Sequence, residues 1–246
     1  MASFDHFRRL FAAVTTVLAG CVATPTVPMP ALSYQSDPGQ RQRNLLVMLR
    51  GMGADNTIFD KEGIIEEIRH RGLPFDVIAP DTHLGYYQAK SIEARLKADI
   101  IDPARRQGYE RIWLAGFSMG GLGSLLYARS YPGDVDGVLL CSPFLGGSAI
   151  YQEIRIAGGV GTWSATSDDP NDPARSLWTW IKKHNRTSTP PIWLGYGEND
   201  FIVAEGPPLL ATVLPAERVF TVPGNHTVAT LKAIFLRHLD TLAANN

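Results

Sequence analysis

Arg111-Ile112-Trp113-Leu114-Ala115-Gly116-Phe117-Ser118-Met119-Gly120-Gly121-Leu122-Gly123 is the stretch on which the fold turns. Its first seven residues form an apolar run with β-branched and aromatic side chains, the pattern of a strand buried on both faces. From Met119 to Ser130 the pattern becomes helical. Strand and helix therefore meet at Ser118 with no intervening loop. Small residues at 116, 120, 121 and 123 suit a sharp turn whose flanking elements approach closely. A lone Gly-x-Ser-x-Gly string is a weak signal in a glycine-rich chain. Its place between a strand and a helix makes it a strong one.

The same alternation extends in both directions. Toward the N-terminus, Asn44–Arg50 and Phe75–Pro80 read as buried strands. Asp60–Arg71 reads as an amphipathic helix with Ile64, Ile65 and Ile68 on one face. Residues 88–107 are helical in pattern, with Pro103 expected to break the run. Toward the C-terminus, strands are expected at 135–142, 191–196 and 218–222, and a final helix at about 228–242. Continuous apolar strands alternating with helices predict an α/β fold, a mostly parallel, doubly wound sheet with helices on both faces. Ligands in such folds bind beyond the carboxyl ends of the strands, so the loops there are where chemistry is expected. The alternation lapses at 145–185, which holds several glycines, Trp163 and a helical patch with Trp178 and Trp180. A small cap over the site and an ordinary long crossover both fit that stretch.

Composition sets the outer limits. The chain has 246 residues, 45% hydrophobic and 19% charged, with a formal net charge of −1. It can bury a sizeable core, and its charge favours neither nucleic acid nor an acidic membrane surface. No metal-ligand spacing is present, and no cofactor motif stands out. Residues 1–20 read as a targeting segment: Arg8 and Arg9 precede a short apolar run, Leu10–Ala19, too short for a stable span. The run ends in Leu18-Ala19-Gly20-Cys21, which resembles the lipobox of bacterial lipoproteins. That resemblance implies cleavage before Cys21, lipidation of its thiol, and a location at the cell envelope on a membrane. An ordinary secretory signal is the alternative. Residues 21–43 then read as a lipidated N-terminus and tether, since Pro25, Pro28 and Pro30 favour extended chain. Cys141 is left without a disulfide partner and is expected to be a small buried hydrophobe on a strand.

From about residue 44 to the end, the chain resembles the α/β-hydrolase family. The resemblance implies a triad in the order serine, acid, histidine, with no cofactor or metal. Ser118 matches the nucleophile. Tyr196-Gly197-Glu198-Asn199-Asp200 follows one late strand and Pro223-Gly224-Asn225-His226-Thr227 follows the last, so His226 matches the base. Both Glu198 and Asp200 are placed to serve it, and the family's Gly-x-x-Asp pattern favours Asp200. The roles are physically apt: a serine hydroxyl needs a base, and a carboxylate on the far ring nitrogen fixes the imidazole tautomer. The resemblance further implies oxyanion donors at the backbone N–H groups of Met119 and Met52. Many members carry His-Gly in the loop before the second donor, where this chain has Arg50-Gly51. Arg50 is expected to form a structural ion pair or to recognise an anionic substrate. By the same analogy Met52, Met119, Phe144, Tyr86, Tyr87 and Phe201 would line an apolar pocket, and His83 either lines it or is surface. The implied activity is hydrolysis of small-molecule carboxylic esters through an acyl-enzyme. Thioester or peptide cleavage on the same triad, or a non-catalytic envelope lipoprotein of this shape, are the alternatives.

Overall fold

The computed structural model describes residues 23–37, 39–165, 172–184 and 188–244. The targeting segment and Cys21 lie outside the described residues. Seven strands form one sheet: β1 (Ala31–Tyr34), β2 (Asn44–Leu49), β3 (Phe75–Pro80), β4 (Arg111–Phe117), β5 (Gly137–Cys141), β6 (Ile192–Gly197) and β7 (Val219–Val222). Their order is β1-β3-β2-β4-β5-β6-β7. Strands β2 to β7 pair in parallel, and β1 joins β3 antiparallel at one edge. This is the α/β-hydrolase fold.

Along β2 the side chains alternate between two cores, as the period of a strand requires. Leu45, Val47 and Leu49 enter one core; Leu46 and Met48 enter the other. The second core is closed by two short helices, α1 (Ile58–Lys61) and α2 (Ile64–His70). On the first face lie α3 (Leu84–Gln88), the helical run α4 over 92–106, and α5 (Met119–Ser130). After β5 come α6 (Ser148–Ile156) and α7 (Pro173–Lys183), and after β6 comes α8 (Gly206–Ala211). The chain's last helix, α9 (Val228–Ala244), packs on the second face through Ile234, Phe235 and Leu239.

Three local expectations are corrected. The helix foreseen at 60–71 is two helices, because Gly63 turns left-handed with φ 68° between them. Pro103 does not break its helix. The preceding turns widen into a π-helix at Leu96–Ile101, and Pro103 falls at the start of the segment Asp102–Arg106. A wider turn removes the clash and the missing hydrogen bond that proline brings to a regular helix interior. The stretch 31–34 belongs to the sheet rather than to a spacer. Its neighbours are also tied down: the Tyr86 hydroxyl donates to Thr26 O (2.8 Å), and Met29 N donates to Asp99 Oδ2 (2.9 Å).

Within 145–185, the described helix α7 packs against the sheet. Leu177, Trp178 and Ile181 of α7 are buried in the first core, and the Trp178 indole donates to Leu145 O at 3.0 Å. Cys141 is fully buried on β5, and burial pushes its thiol pKa well up. It is therefore a packed thiol with no reactive anion.

Candidate active site

Register brings the strand ends together. Leu49 pairs with Gly116, Phe117 with Cys141, Cys141 with Gly195, and Gly197 with Val222. The loops after β2, β4, β5, β6 and β7 thus emerge side by side at one edge of the sheet, about 5 Å per strand. Ser118 stands between β4 and α5 with φ 52° and ψ −114°, a conformation normally left to glycine. Such strain costs on the order of 1–3 kcal/mol and persists only where the surroundings over-determine it. Here Ser118 N donates to Cys141 O (3.0 Å), and Ser118 O accepts from Gly121 N (2.9 Å) and Phe144 N (3.0 Å). The glycines let the turn close. A Cβ on Gly116 would lie 2.5 Å from Gly120 O, and one on Gly120 would lie 2.1 Å from Leu49 O.

Ser118 Oγ is 2.9 Å from His226 Nε2, and His226 Nδ1 is 2.7 Å from Asp200 Oδ2. The Asp200 side chain is 2% exposed, and that of His226 14%. The other carboxylate oxygen, Oδ1, accepts from Ile202 N and Val203 N, both at 3.2 Å. The acid and histidine loops are stitched together: Glu198 N donates to Val222 O and Asn199 N to Gly224 O, each at 2.9 Å. Glu198 turns away, its Oε1 accepting from Thr221 Oγ1 at 3.0 Å. Between the two candidate acids, then, Asp200 is the one in contact with His226.

The loop after β2 lies against the serine. A Cβ on Gly51 would sit 3.3 Å from Ser118 Cβ, so the Gly51–Met52 peptide borders the same space. Met119 is the first residue of α5, and its N–H has no acceptor within the helix. Arg50 is buried and pairs with Asp81, Nε to Oδ1 at 2.9 Å. That ion pair is one of the two roles expected for it. Asp81 itself carried no signal in the sequence, being separated from Arg50 by most of a β-α-β unit.

The residues expected to line an apolar pocket differ in exposure. Met52, Phe144 and Phe201 are exposed, as are Ile202 and Val228, all in or just beyond the loops around Ser118. Met119 is buried. Tyr86 is fully buried and holds the Thr26 segment instead of lining a pocket. The Tyr87 hydroxyl donates to Met119 O at 3.0 Å, and burial pushes its pKa up, so it stays a neutral donor. His83 caps α3, its Nδ1 accepting from Gly85 N. Two residues escaped the sequence reading. Ser142, with φ 43°, is buried and accepts from Gly197 N through Oγ, tying the end of β5 to that of β6. His184, just after α7, is buried as well. Its pKa is lowered by that burial and by nearby Arg218.

Among the described residues no group of three or more His, Cys, Asp or Glu side chains is placed to hold a metal ion. Also among them, no helix is long and apolar enough to cross a membrane. The geometry can support proton transfer from Ser118 to His226, with Asp200 facing the imidazolium that results.

Residues 96–165 match the family model described as serine aminopeptidase, S33. That segment runs from the π-helical turn through β4, Ser118, α5 and β5. No curated protein matches the chain. Solved structures do. A monoacylglycerol lipase from Paleococcus ferrophilus is 20% identical with a TM-score of 0.59, over 89% of this chain and 99% of that one. A fluorophosphonate-binding serine hydrolase from Staphylococcus aureus is 14% identical with a TM-score of 0.58, over 88% of this chain and 99% of that one. Est1E from Butyrivibrio proteoclasticus is 15% identical with a TM-score of 0.58, over 87% and 94%.

Proposed function

We propose that this chain is a serine hydrolase that cleaves carboxylic esters. The observation that carries the reading is the continuous contact from Ser118 to His226 to Asp200 at a strained strand-to-helix turn. The lipase and esterase neighbours and the hydrolase family model support it. Ser118 Oγ attacks the ester carbonyl while His226 Nε2 takes its proton. The carbonyl electron pair moves to oxygen, where the Met52 and Met119 amides donate to it. Collapse expels the alcohol, which leaves with the proton from His226, and an acyl group remains on Ser118. Water then attacks that acyl carbon, gives its proton to His226, and the acid departs as Ser118 Oγ regains a proton.

The exposed Met52, Phe144, Phe201, Ile202 and Val228 favour an apolar acyl or alcohol group over a charged one. A fluorophosphonate probe should label the chain once. Ser118→Ala should abolish labelling and ester turnover while the fold is kept, and undiminished labelling of that variant refutes the assignment. The family model's description favours a second reading, cleavage of aminoacyl amides on the same triad. A panel of aryl esters, thioesters and aminoacyl amides separates these readings by kcat/KM.

Lipidation of Cys21 and a place at the bacterial cell envelope belong to the same proposal, supported by Leu18-Ala19-Gly20-Cys21. Expressed with its leader, the chain should incorporate labelled fatty acid and sediment with membranes, and Cys21→Ala should do neither. A soluble, unlabelled wild type overturns this part alone.

A further inference from the structure

Arg50 does more than pair with Asp81. Its Nη1 donates to Gly51 O at 3.2 Å, while its Nε donates to Asp81 Oδ1 at 2.9 Å. Gly51 O belongs to the same peptide unit as the Met52 N–H. That unit is trans, since the cis bonds of the described chain both precede proline. In a planar trans peptide the C=O and the N–H point to opposite sides. Fixing the Gly51 carbonyl toward the buried guanidinium therefore turns the Met52 N–H away from it. Gly51 faces Ser118, and its missing side chain leaves the peptide free to lie there. The guanidinium is itself held, because Asp81 sits at the end of β3 with its N donating to Pro30 O at 2.8 Å. The second donor peptide is fixed in the same manner: Ser118 O accepts from Gly121 N and Phe144 N, which sets the direction of the Met119 N–H.

We propose that Arg50 is a positioning residue that aims the Met52 amide at the developing oxyanion, using the Arg50–Asp81 ion pair as its anchor. The inference rests on the serine-hydrolase reading and deepens it. It also gives this chain's Arg-Gly a role that needs no contact between the arginine and substrate. The planar guanidinium fork is needed because one group must reach both Asp81 Oδ1 and Gly51 O. A lysine in its place keeps the charge but has no such fork.

The test compares wild type, Arg50→Lys, Asp81→Asn and Ser118→Ala on a neutral and an anionic aryl ester, with thermal unfolding as the control for folding. Inhibition by an aryl trifluoromethyl ketone is measured in parallel. That ketone takes up Ser118 Oγ to form a tetrahedral oxyanion, so its Ki reports the oxyanion donors directly. Removing one donor outright costs roughly 10²–10³ in kcat, so a donor that is misaimed should cost about 10- to 100-fold. Arg50→Lys should lower kcat by that factor with KM nearly unchanged and raise Ki in proportion. Asp81→Asn should show the same signature more weakly. Wild-type kcat and Ki in a folded Arg50→Lys overturn the proposal, as does a loss confined to KM on anionic esters. If Arg50→Lys fails to fold, Asp81→Asn decides by the same two readouts. An active Ser118→Ala instead sinks the underlying hydrolase reading, and a dead Ser118→Ala beside unaffected arginine and aspartate variants sinks this inference alone.

Discussion

Replacing Asp200 with asparagine changes one atom of a carboxylate whose three contacts are all known. Oδ1 accepts from two backbone amides, Ile202 N and Val203 N, and Oδ2 faces His226 Nδ1 at 2.7 Å. An asparagine must keep its oxygen on the two amide donors, since turning the NH2 toward them would set donor against donor. The NH2 then points at His226 Nδ1, which must accept. The ring proton moves to Nε2, 2.9 Å from Ser118 Oγ, and the imidazole can no longer take the serine's proton. The buried site also loses the negative charge that faces the imidazolium. The same change costs about 10⁴ in turnover in the well-studied serine protease case, on the order of 5 kcal/mol of transition-state stabilisation. Ester kcat should therefore fall about 10⁴-fold in Asp200→Asn, with thermal unfolding close to wild type because the side-chain shape is kept. The measurement is steady-state turnover of an aryl ester alongside circular dichroism. A folded variant within tenfold of wild type would falsify the tautomer argument.

Glu198→Gln should cost at most a few-fold in kcat, because Glu198 contacts Thr221 and not His226; near-complete loss would reverse the assignment of the acid. His238 is fully buried, and desolvation holds its pKa down at about 4. Below its ordinary value near 6.5 the unfolded chain takes up a proton that the folded chain refuses. Stability is thus full above that pH and falls by about 3 kcal/mol as pH drops toward 4. Urea unfolding at pH 7 and pH 4.5 should show a smaller drop in His238→Gln than in wild type, and equal drops would rule the histidine out as a source. Gly120→Ala would place a methyl against the Leu49 carbonyl at 2.1 Å, a backbone atom that cannot move aside cheaply. It should destabilise the chain by about 3 kcal/mol or more, read as a lowered unfolding midpoint, and a wild-type midpoint would contradict that packing.

The turn at Ser118 was legible in the sequence because its signal is local. A strand, a turn made of glycines and a helix are adjacent along the chain, and Ser118 is the one residue whose backbone must bear the strain between them. His226 was legible for a related reason: it follows the last strand, and the fold sends every such loop to the same edge. Contacts between distant segments were decided only by the tertiary structure. Glu198 and Asp200 sit two residues apart, so their spacing could not choose between them. The choice follows from how the loop after β6 is stitched to the one after β7, which buries Asp200 and turns Glu198 toward Thr221. The partner of Arg50 lay 31 positions away and became its neighbour only when β2 and β3 paired. The edge strand β1 looked like tether because four half-exposed residues carry too short a pattern, and pairing with β3 is what makes them a strand. Chemistry carried by residue type and nearest neighbours can be read from the chain alone. Which side chain faces which across the sheet edge depends on burial and register, and those exist only once the strands have paired.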